Sequence, residues 1–224
     1  MKWLFPIDRH AISRDFIQFT KRMKYFSQAC ENNKQPILEI LKRVLKGCHQ
    51  VLEIGSGSGQ HAVYFGKQLP HLTWQPTETL EGIAILKENL VSLSAPSNVL
   101  TPLVLDVNQP LWPLDSVANI FSANTLHILA WEEVELFFKG VGALLKPKGL
   151  LCVYGPFRYQ GNYTSLSNAE FDSWLKAQDV ERGIRDFEAV NTLAEEQGLE
   201  LKEDYAMPAN NQFLIWQRSE KINS

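Results

Sequence analysis

A glycine-rich stretch near residue 55 is the part of this sequence whose residue types and spacing could do chemistry. Residues 51–54 are mostly apolar and predict a short strand that is buried on both faces. Gly55, Gly57 and Gly59 follow, and glycine allows positive φ and a close approach of a ligand to the backbone. A helix beginning next would present free N–H groups at its positive end. The stretch therefore predicts a site for a nucleotide-type ligand.

The spacing of the glycines narrows the class of ligand. A dinucleotide fingerprint is G-x-G-x-x-G, but the third glycine here comes one residue early and Gln60 holds its place. Glu53 completes the pattern E-x-G-x-G-x-G, which resembles motif I of the class I methyltransferases that bind S-adenosylmethionine. That ligand has no phosphate, so Glu53 is acceptable beside the loop and could face its cationic amino group. We assign Ser56, within the loop, and Asn124 to the same cofactor site.

Two further acidic residues follow predicted strands. The separation in sequence between the glycine loop and Glu78 is close to the roughly 20 residues at which an acidic residue binds the ribose hydroxyls. Asp106 ends the next strand and could accept a hydrogen bond from the exocyclic amine of adenine, with Leu105 and Val107 beside the ring. The carboxyl ends of parallel strands meet at one edge of a sheet, where ligands bind. A capping or turn role is the alternative for both acids, and for Asp106 it is equally open.

Helical and strand patterns alternate along the chain. They predict an α/β fold with a doubly wound, seven-stranded, mostly parallel sheet. The resemblance to motif I implies that this sheet is of the Rossmann-like class I methyltransferase type. The last strand should be antiparallel because only a short link precedes it. Predicted strands are 51–54, 72–75, 100–105, 117–122, 150–154, 199–206 and 212–217; predicted helices begin at Pro36, Gln60, Leu80, near Val134 and near Asp186.

The domain organisation predicted is a single domain over residues 1–224. Residues 1–34 would form an N-terminal cap. Residues 155–185 are polar and predict a long irregular connection that acts as a lid insertion.

Finer strings carry a resemblance to one family. They lie at 57–63, 72–76, 121–124, 127–128, 154–157, 164–168, 183–186 and 207–211. They are similar to the family called domain of unknown function 938, or methyltransferase-like 26, over roughly residues 26–218. The resemblance implies the class I fold and S-adenosylmethionine as cofactor, but no settled substrate. Gln28 and Asn32 stand where many relatives have proline and arginine, and Glu78 where they often have aspartate.

Methyl transfer depends mainly on alignment, which can contribute about 7–11 kcal/mol, whereas a general base contributes roughly 10²–10⁴-fold in rate. His127, just beyond the fourth strand, is the candidate base, although packing beneath Trp131 is equally open. Tyr154, Phe157, Asn168 and Arg185 could line an acceptor pocket. For the aromatic residues a core position is the alternative, and Arg185 could instead pair with Asp186 to hold the lid.

Composition and net charge exclude several classes of protein. The net charge is −3 over 224 residues, with a pI near 6.0, which argues against a general nucleic-acid binder. The three cysteines form no CxxC pair, so we expect no metal site and a reduced, cytoplasmic protein. No secretory signal is apparent within 1–12, and no membrane-spanning run is found. The basic cluster Lys21, Arg22 and Lys24 is expected to be a solvated helix face.

The function predicted is methyl transfer to a small-molecule acceptor. A non-catalytic adaptor that binds S-adenosylmethionine is the alternative from another class. An NAD-dependent oxidoreductase is disfavoured by the glycine spacing, and an aminopropyltransferase stays open. The acceptor atom and the oligomeric state are not encoded in any pattern we can identify.

Overall fold

The computed structural model describes residues 26–220. Most of the predicted cap 1–34 therefore lies outside the described residues, together with the basic cluster Lys21, Arg22 and Lys24 and the segment 1–12.

Helices and strands alternate over the described part of the chain. The helices are α1 (Gln28–Val44), α2 (Gln60–Gln68), α3 (Ile83–Ser92), α4 (Trp131–Leu144), α5 (Leu166–Gln178) and α6 (Phe187–Glu196). The strands are β1 (Gln50–Ile54), β2 (Thr73–Glu78), β3 (Leu103–Val104), β4 (Val117–Ala123), β5 (Leu145–Gly155), β6 (Phe157–Tyr159), β7 (Asn162–Tyr163), β8 (Arg185–Asp186), β9 (Leu199–Met207) and β10 (Asn211–Arg218). None of these helices combines the length and apolar character needed to cross a bilayer.

Seven strands form one sheet in the order β3-β2-β1-β4-β5-β10-β9. β1 pairs in parallel with β2 and β4, and β4 pairs in parallel with β5. β10 runs antiparallel to both β5 and β9, so it lies inside the sheet and β9 forms the edge. A short 3-10 turn, Pro208–Asn210, joins β9 to β10. The predicted seven-stranded, mostly parallel sheet with an antiparallel last strand is confirmed.

The sheet is covered on both faces. Leu52 and Ile54 of β1 pack into a core with α4 and α6, whereas Val51 packs into a second core with α1, α2 and α3. This alternation follows from the strand period of two residues. Between the two helical layers, the carboxyl ends of β1, β2 and β4 open at one edge of the sheet, as expected for a doubly wound fold.

The first helix begins earlier than predicted. We placed its start at Pro36, but α1 starts at Gln28 and carries Pro36 in its interior. The Ser27 hydroxyl accepts a hydrogen bond from the backbone N–H of Cys30 at 3.3 Å, which caps the helix. β3 also differs from the predicted strand 100–105, because its ladder is limited to two residues.

Residues 155–185 are ordered rather than irregular, which corrects the prediction. β6 pairs antiparallel with β7 and parallel with β8, and α5 lies between β7 and β8. The buried carboxylate of Asp172 accepts hydrogen bonds from the Tyr163 hydroxyl at 2.6 Å and from the Ile184 backbone N–H at 2.6 Å. The Asp172 side chain therefore connects α5 to Tyr163 of β7 and to Ile184, which directly precedes β8.

Candidate functional site

The loop between β1 and α2 adopts the backbone that its glycines permit. Gly55, Gly57 and Gly59 have φ of 72°, 53° and 77°. A Cβ at Gly57 would meet no atom within 4 Å, whereas one at Gly59 would lie 2.8 Å from the Leu86 side chain. Gly57 therefore faces open space, and Gly59 allows the loop to pack closely on α3.

Glu78 lies beside this loop at the carboxyl end of β2. Its Oε2 accepts a hydrogen bond from the Gly57 backbone N–H at 2.7 Å, and its Oε1 accepts one from the Thr79 N–H at 2.9 Å. Each carboxylate oxygen has a second lone pair, so both can still accept hydrogen bonds from a ligand.

Glu53 lies beneath the loop and is buried. Its Oε2 accepts hydrogen bonds from Trp74 Nε1 and Ser56 Oγ, both at 2.9 Å. Burial raises the pKa of this carboxyl to about 7, even though both hydrogen bonds act in the opposite direction. Glu53 does not line the cavity described below. The expectation that it faces a cationic amino group is thus corrected, because its carboxyl group is directed into the protein to support the loop.

A cavity of about 880 Å³ opens at the carboxyl ends of the strands. This volume lies within the range of roughly 300–1,000 Å³ that is usual for small-molecule sites. Elements from the whole length of the described chain contribute to its lining: the start of α1, the glycine loop, the residues after β2, β3 and β4, the start of α5 and the turn before β10.

Most of the residues assigned from sequence to the cofactor line this cavity. They are Gly55, Ser56, Gly57, Glu78, Asp106, Val107 and Asn124. Gly59 is not among the lining residues, because it packs against α3. Asp106 Oδ1 accepts hydrogen bonds from the backbone N–H of Asn108 at 2.9 Å and from its side chain at 3.1 Å. No hydrogen bond to Asp106 Oδ2 is found among the described residues, so this oxygen can accept one from a ligand.

His127 also lines the cavity, with only 6% of its surface exposed. Neither ring nitrogen makes a hydrogen bond within residues 26–220. The ring contacts the edge of Phe171 at a centroid distance of 5.3 Å. Burial lowers the pKa of His127 to about 4, with a smaller contribution from the charge of Arg185. The imidazole is therefore neutral near pH 7 and has a free lone pair.

Three of the four residues assigned to an acceptor pocket lie elsewhere. Tyr154 and Phe157 are buried in the two hydrophobic cores, on opposite faces of the sheet. The Arg185 guanidinium donates hydrogen bonds to the backbone carbonyls of Leu126, Leu129 and Glu181. It therefore holds the segment that carries His127, and it does not line the cavity.

The ion pair proposed between Arg185 and Asp186 is also absent from the described residues, since Asp186 pairs with Arg158 at 3.4 Å. Asn168, the fourth acceptor-pocket residue, does line the cavity. Its amide nitrogen donates to Thr164 Oγ1 at 2.9 Å and to the Asn210 carbonyl at 2.8 Å, which joins α5 to the turn before β10.

Sequence reasoning missed the role of Gln60. Its Oε1 accepts the backbone N–H of Ser27 at 2.7 Å, while its Nε2 donates to the Ser27 carbonyl at 3.2 Å and to Glu31 Oε1 at 2.6 Å. The first residue of α2 thus binds the start of α1 to the glycine loop. The signal was the departure from the dinucleotide fingerprint at Gln60, a position where a long amide replaces glycine.

Within the described residues, no group of three or more His, Cys, Asp or Glu side chains is placed to hold a metal ion.

Several solved structures to which the chain is similar in fold are methyltransferases. An O-methyltransferase family protein from Burkholderia thailandensis is 15% identical with a TM-score of 0.75, over 93% of this chain and 64% of that one. Human N-acetylserotonin methyltransferase, in complex with SAM, is 14% identical with a TM-score of 0.73, over 86% and 53%. An O-methyltransferase family 2 protein from Planctomyces limnophilus, in complex with apigenin, is 14% identical with a TM-score of 0.66, over 93% and 66%.

The chain spans less than two thirds of the length of each of these proteins. At this identity the likeness establishes the fold alone, a Rossmann-like α/β fold with a seven-stranded, mostly parallel sheet. A family model described as protein of unknown function (DUF938) matches residues 24–218, which is most of the sequence. The chain therefore belongs to the DUF938 family.

Proposed function

We propose that this protein is an S-adenosylmethionine-dependent methyltransferase whose acceptor is a small molecule. The observation that carries the proposal is the cavity at the glycine loop, where Glu78 and Asp106 lie at the tips of neighbouring strands. The finer resemblance to methyltransferase-like 26 is part of the same proposal. We also propose that residues 1–34 act as a cap, that residues 155–185 act as a lid and that the protein is cytoplasmic.

The residues at the loop fit an adenosyl group. Gly57 leaves open space where any side chain would project. Glu78 has lone pairs for two ribose hydroxyls, and Asp106 has a carboxylate oxygen for the adenine amine. Val107 and Leu105 supply apolar walls for the base. NAD is disfavoured by the glycine spacing, because Gln60 stands where the dinucleotide fingerprint has its third glycine.

When bound, S-adenosylmethionine supplies an electrophilic methyl group, whose carbon–sulfur bond breaks with the electron pair left on sulfur. His127 is neutral and has no hydrogen-bond partner in the described part of the chain, so one of its ring nitrogens can take the proton that an O–H, N–H or S–H acceptor loses. Because its lowered pKa makes the imidazole a weak base, the proton passes on to solvent. The free imidazole in the cavity favours an enzyme over a non-catalytic adaptor.

Calorimetric titration with S-adenosylmethionine, S-adenosylhomocysteine and NAD tests the cofactor. We expect the first two to bind with affinities on the micromolar scale and NAD to give no heat. Glu78→Ala should weaken the binding of S-adenosylmethionine and of S-adenosylhomocysteine by about tenfold or more, because it removes the side chain that we propose binds the ribose. Glu81→Ala is the matched control, since Glu81 is exposed and does not line the cavity. Heat from NAD alone would refute the assignment.

Transfer of labelled methyl from S-adenosylmethionine into the small-molecule fraction of a cell extract tests catalysis. Tight cofactor binding without incorporation into any fraction would favour the adaptor.

A further inference from the structure

One wall of the cavity is built from uncharged side chains. We call it the acceptor wall and define it by the lining residues that come from α1, from 127–129 after β4, from α5 and from the turn before β10. These are Ala29, Cys30, His127, Ile128, Leu129, Ser167, Asn168, Phe171 and 209–211. Among described residues, the lining carboxylates Glu78, Asp106 and Glu133 lie elsewhere, after β2, after β3 and in α4.

The titratable members of this wall are also uncharged near neutral pH. Burial lowers the pKa of His127 to about 4 and raises the pKa of the Cys30 thiol. Cations on the adjoining elements have partners of their own. Arg185 donates to backbone carbonyls, and Lys176 pairs with Asp172 at 2.7 Å. No described Lys or Arg side chain lines the cavity.

Such a wall disfavours an ionic ligand. A charged group that leaves water for this surface loses its hydration and meets no opposite charge in return. A neutral polar group loses much less, because Asn168 and His127 can offer it hydrogen bonds. The wall also offers one aromatic ring to a ligand, since Phe171 lines the cavity, and this ring is supported by Trp174, which stacks on it at 5.8 Å with 13° between the planes.

We propose that the acceptor is an uncharged small molecule with a flat apolar body, which packs on Phe171 and directs its protic group to His127. This inference rests on the proposed methyltransferase function, because it assigns the acceptor side of the same cavity. It adds that the wall disfavours acceptors that carry a carboxylate, phosphate or ammonium group where they contact it.

Three probes of one shape and different charge test the proposal: naphthol, naphthoate and naphthylmethylammonium. Their affinities are measured by calorimetry at pH 7 in the presence of S-adenosylhomocysteine. We expect naphthol to bind about tenfold or more tightly than either ion. Naphthoate or the ammonium probe binding as tightly as naphthol, or no binding of naphthol at all, would overturn the inference.

The second arm of this test introduces a charged side chain into the acceptor wall. Ile128 lines the cavity, so Ile128→Lys should shift the ratio of affinities toward naphthoate by about tenfold. Val180→Lys is the matched control, because Val180 is an exposed apolar residue that does not line the cavity. An unchanged ratio in Ile128→Lys would contradict the location of the site.

The two proposals fail separately. If S-adenosylhomocysteine does not bind but the ranking of the probes holds, the methyltransferase assignment is wrong and the neutral wall stands. If S-adenosylhomocysteine binds and an ionic probe ranks first, only the acceptor class is wrong.

Discussion

Glu53 supports the glycine loop from inside the protein. Its carboxyl group is hydrogen-bonded to Ser56 and Trp74, and burial raises its pKa to about 7. The folded state therefore holds a proton that the unfolded chain has released between pH 4.5 and 7. Because the folded pKa is the higher one, stability falls as the pH rises through this window. Above pH 7, Glu53 is ionised in both the folded and the unfolded state, and the loss of stability caused by its buried charge is complete.

Glu53→Gln should remove this pH dependence, because the amide cannot ionise. We expect the free energy of unfolding of the wild type to fall by about 3 kcal/mol more than that of Glu53→Gln between pH 4 and 8. Denaturant unfolding at a series of pH values measures the difference. Parallel curves for the two proteins would mean that Glu53 ionises normally in the fold.

Gly57 and Gly161 form a matched pair for the loop. Both have positive φ, and a Cβ at either would meet nothing within 4 Å. Each change to alanine should cost roughly 1–2 kcal/mol of stability, because the left-handed backbone disfavours a side chain. Only Gly57 lines the cavity, so only Gly57→Ala should weaken S-adenosylmethionine binding in calorimetry. Equal affinity in the two variants would place the ligand elsewhere.

A substitution of His127 should distinguish binding of the cofactor from transfer of the methyl group. His127→Gln preserves a polar side chain but removes the base, so methyl incorporation should fall by roughly 10²–10⁴-fold. The affinity for S-adenosylmethionine should stay unchanged, because we assign no cofactor contact to this ring. Loss of affinity in parallel with rate would show that His127 holds the cofactor instead. His71→Gln, outside the cavity, is the control.

At the scale of elements, Gln60 joins α2 to the start of α1 through three side-chain hydrogen bonds. Gln60→Ala should remove them and loosen the first turns of α1, which line the cavity at Ala29 and Cys30. Faster amide hydrogen exchange at the start of α1, with α3 unaffected, would show this local opening.

Gln68→Ala is the matched control, since Gln68 is the exposed last residue of the same helix. Unchanged exchange in Gln60→Ala would mean that apolar packing alone fixes α1. Ile37, Leu38 and Leu41 supply that packing in the second core.

For the whole molecule, ligand binding should couple to stability. At a concentration of 100 Kd, S-adenosylhomocysteine should stabilise the fold by about 2.7 kcal/mol, because it binds only the folded state. For a chain of this size that corresponds to a rise in Tm of roughly 5–11 °C. Thermal unfolding with and without the compound measures it, with NAD as the comparison. An equal rise with NAD would contradict the proposed specificity.

The sheet could be predicted largely because its strands are short, apolar and separated by turns, so each one is specified locally. Pro36 misled the prediction of α1, because a proline is usual at a helix start and the contacts of Ser27 and Gln60 lie far apart in sequence. Residues 155–185 carry too many polar side chains for a period to show, although Asp172 orders them through three-dimensional contacts.

The sequence by itself determined the glycine loop, the acids at the tips of two strands and the order of helices and strands outside residues 155–185. These depend on neighbouring residues and on the rules of strand connection. Only the tertiary structure decided which side chains reach the cavity. Glu53 contacts Trp74 and Arg185 binds distant carbonyls, because hydrogen bonds across tens of residues form only once the layers have packed. His127 lines the cavity without a hydrogen-bond partner among residues 26–220.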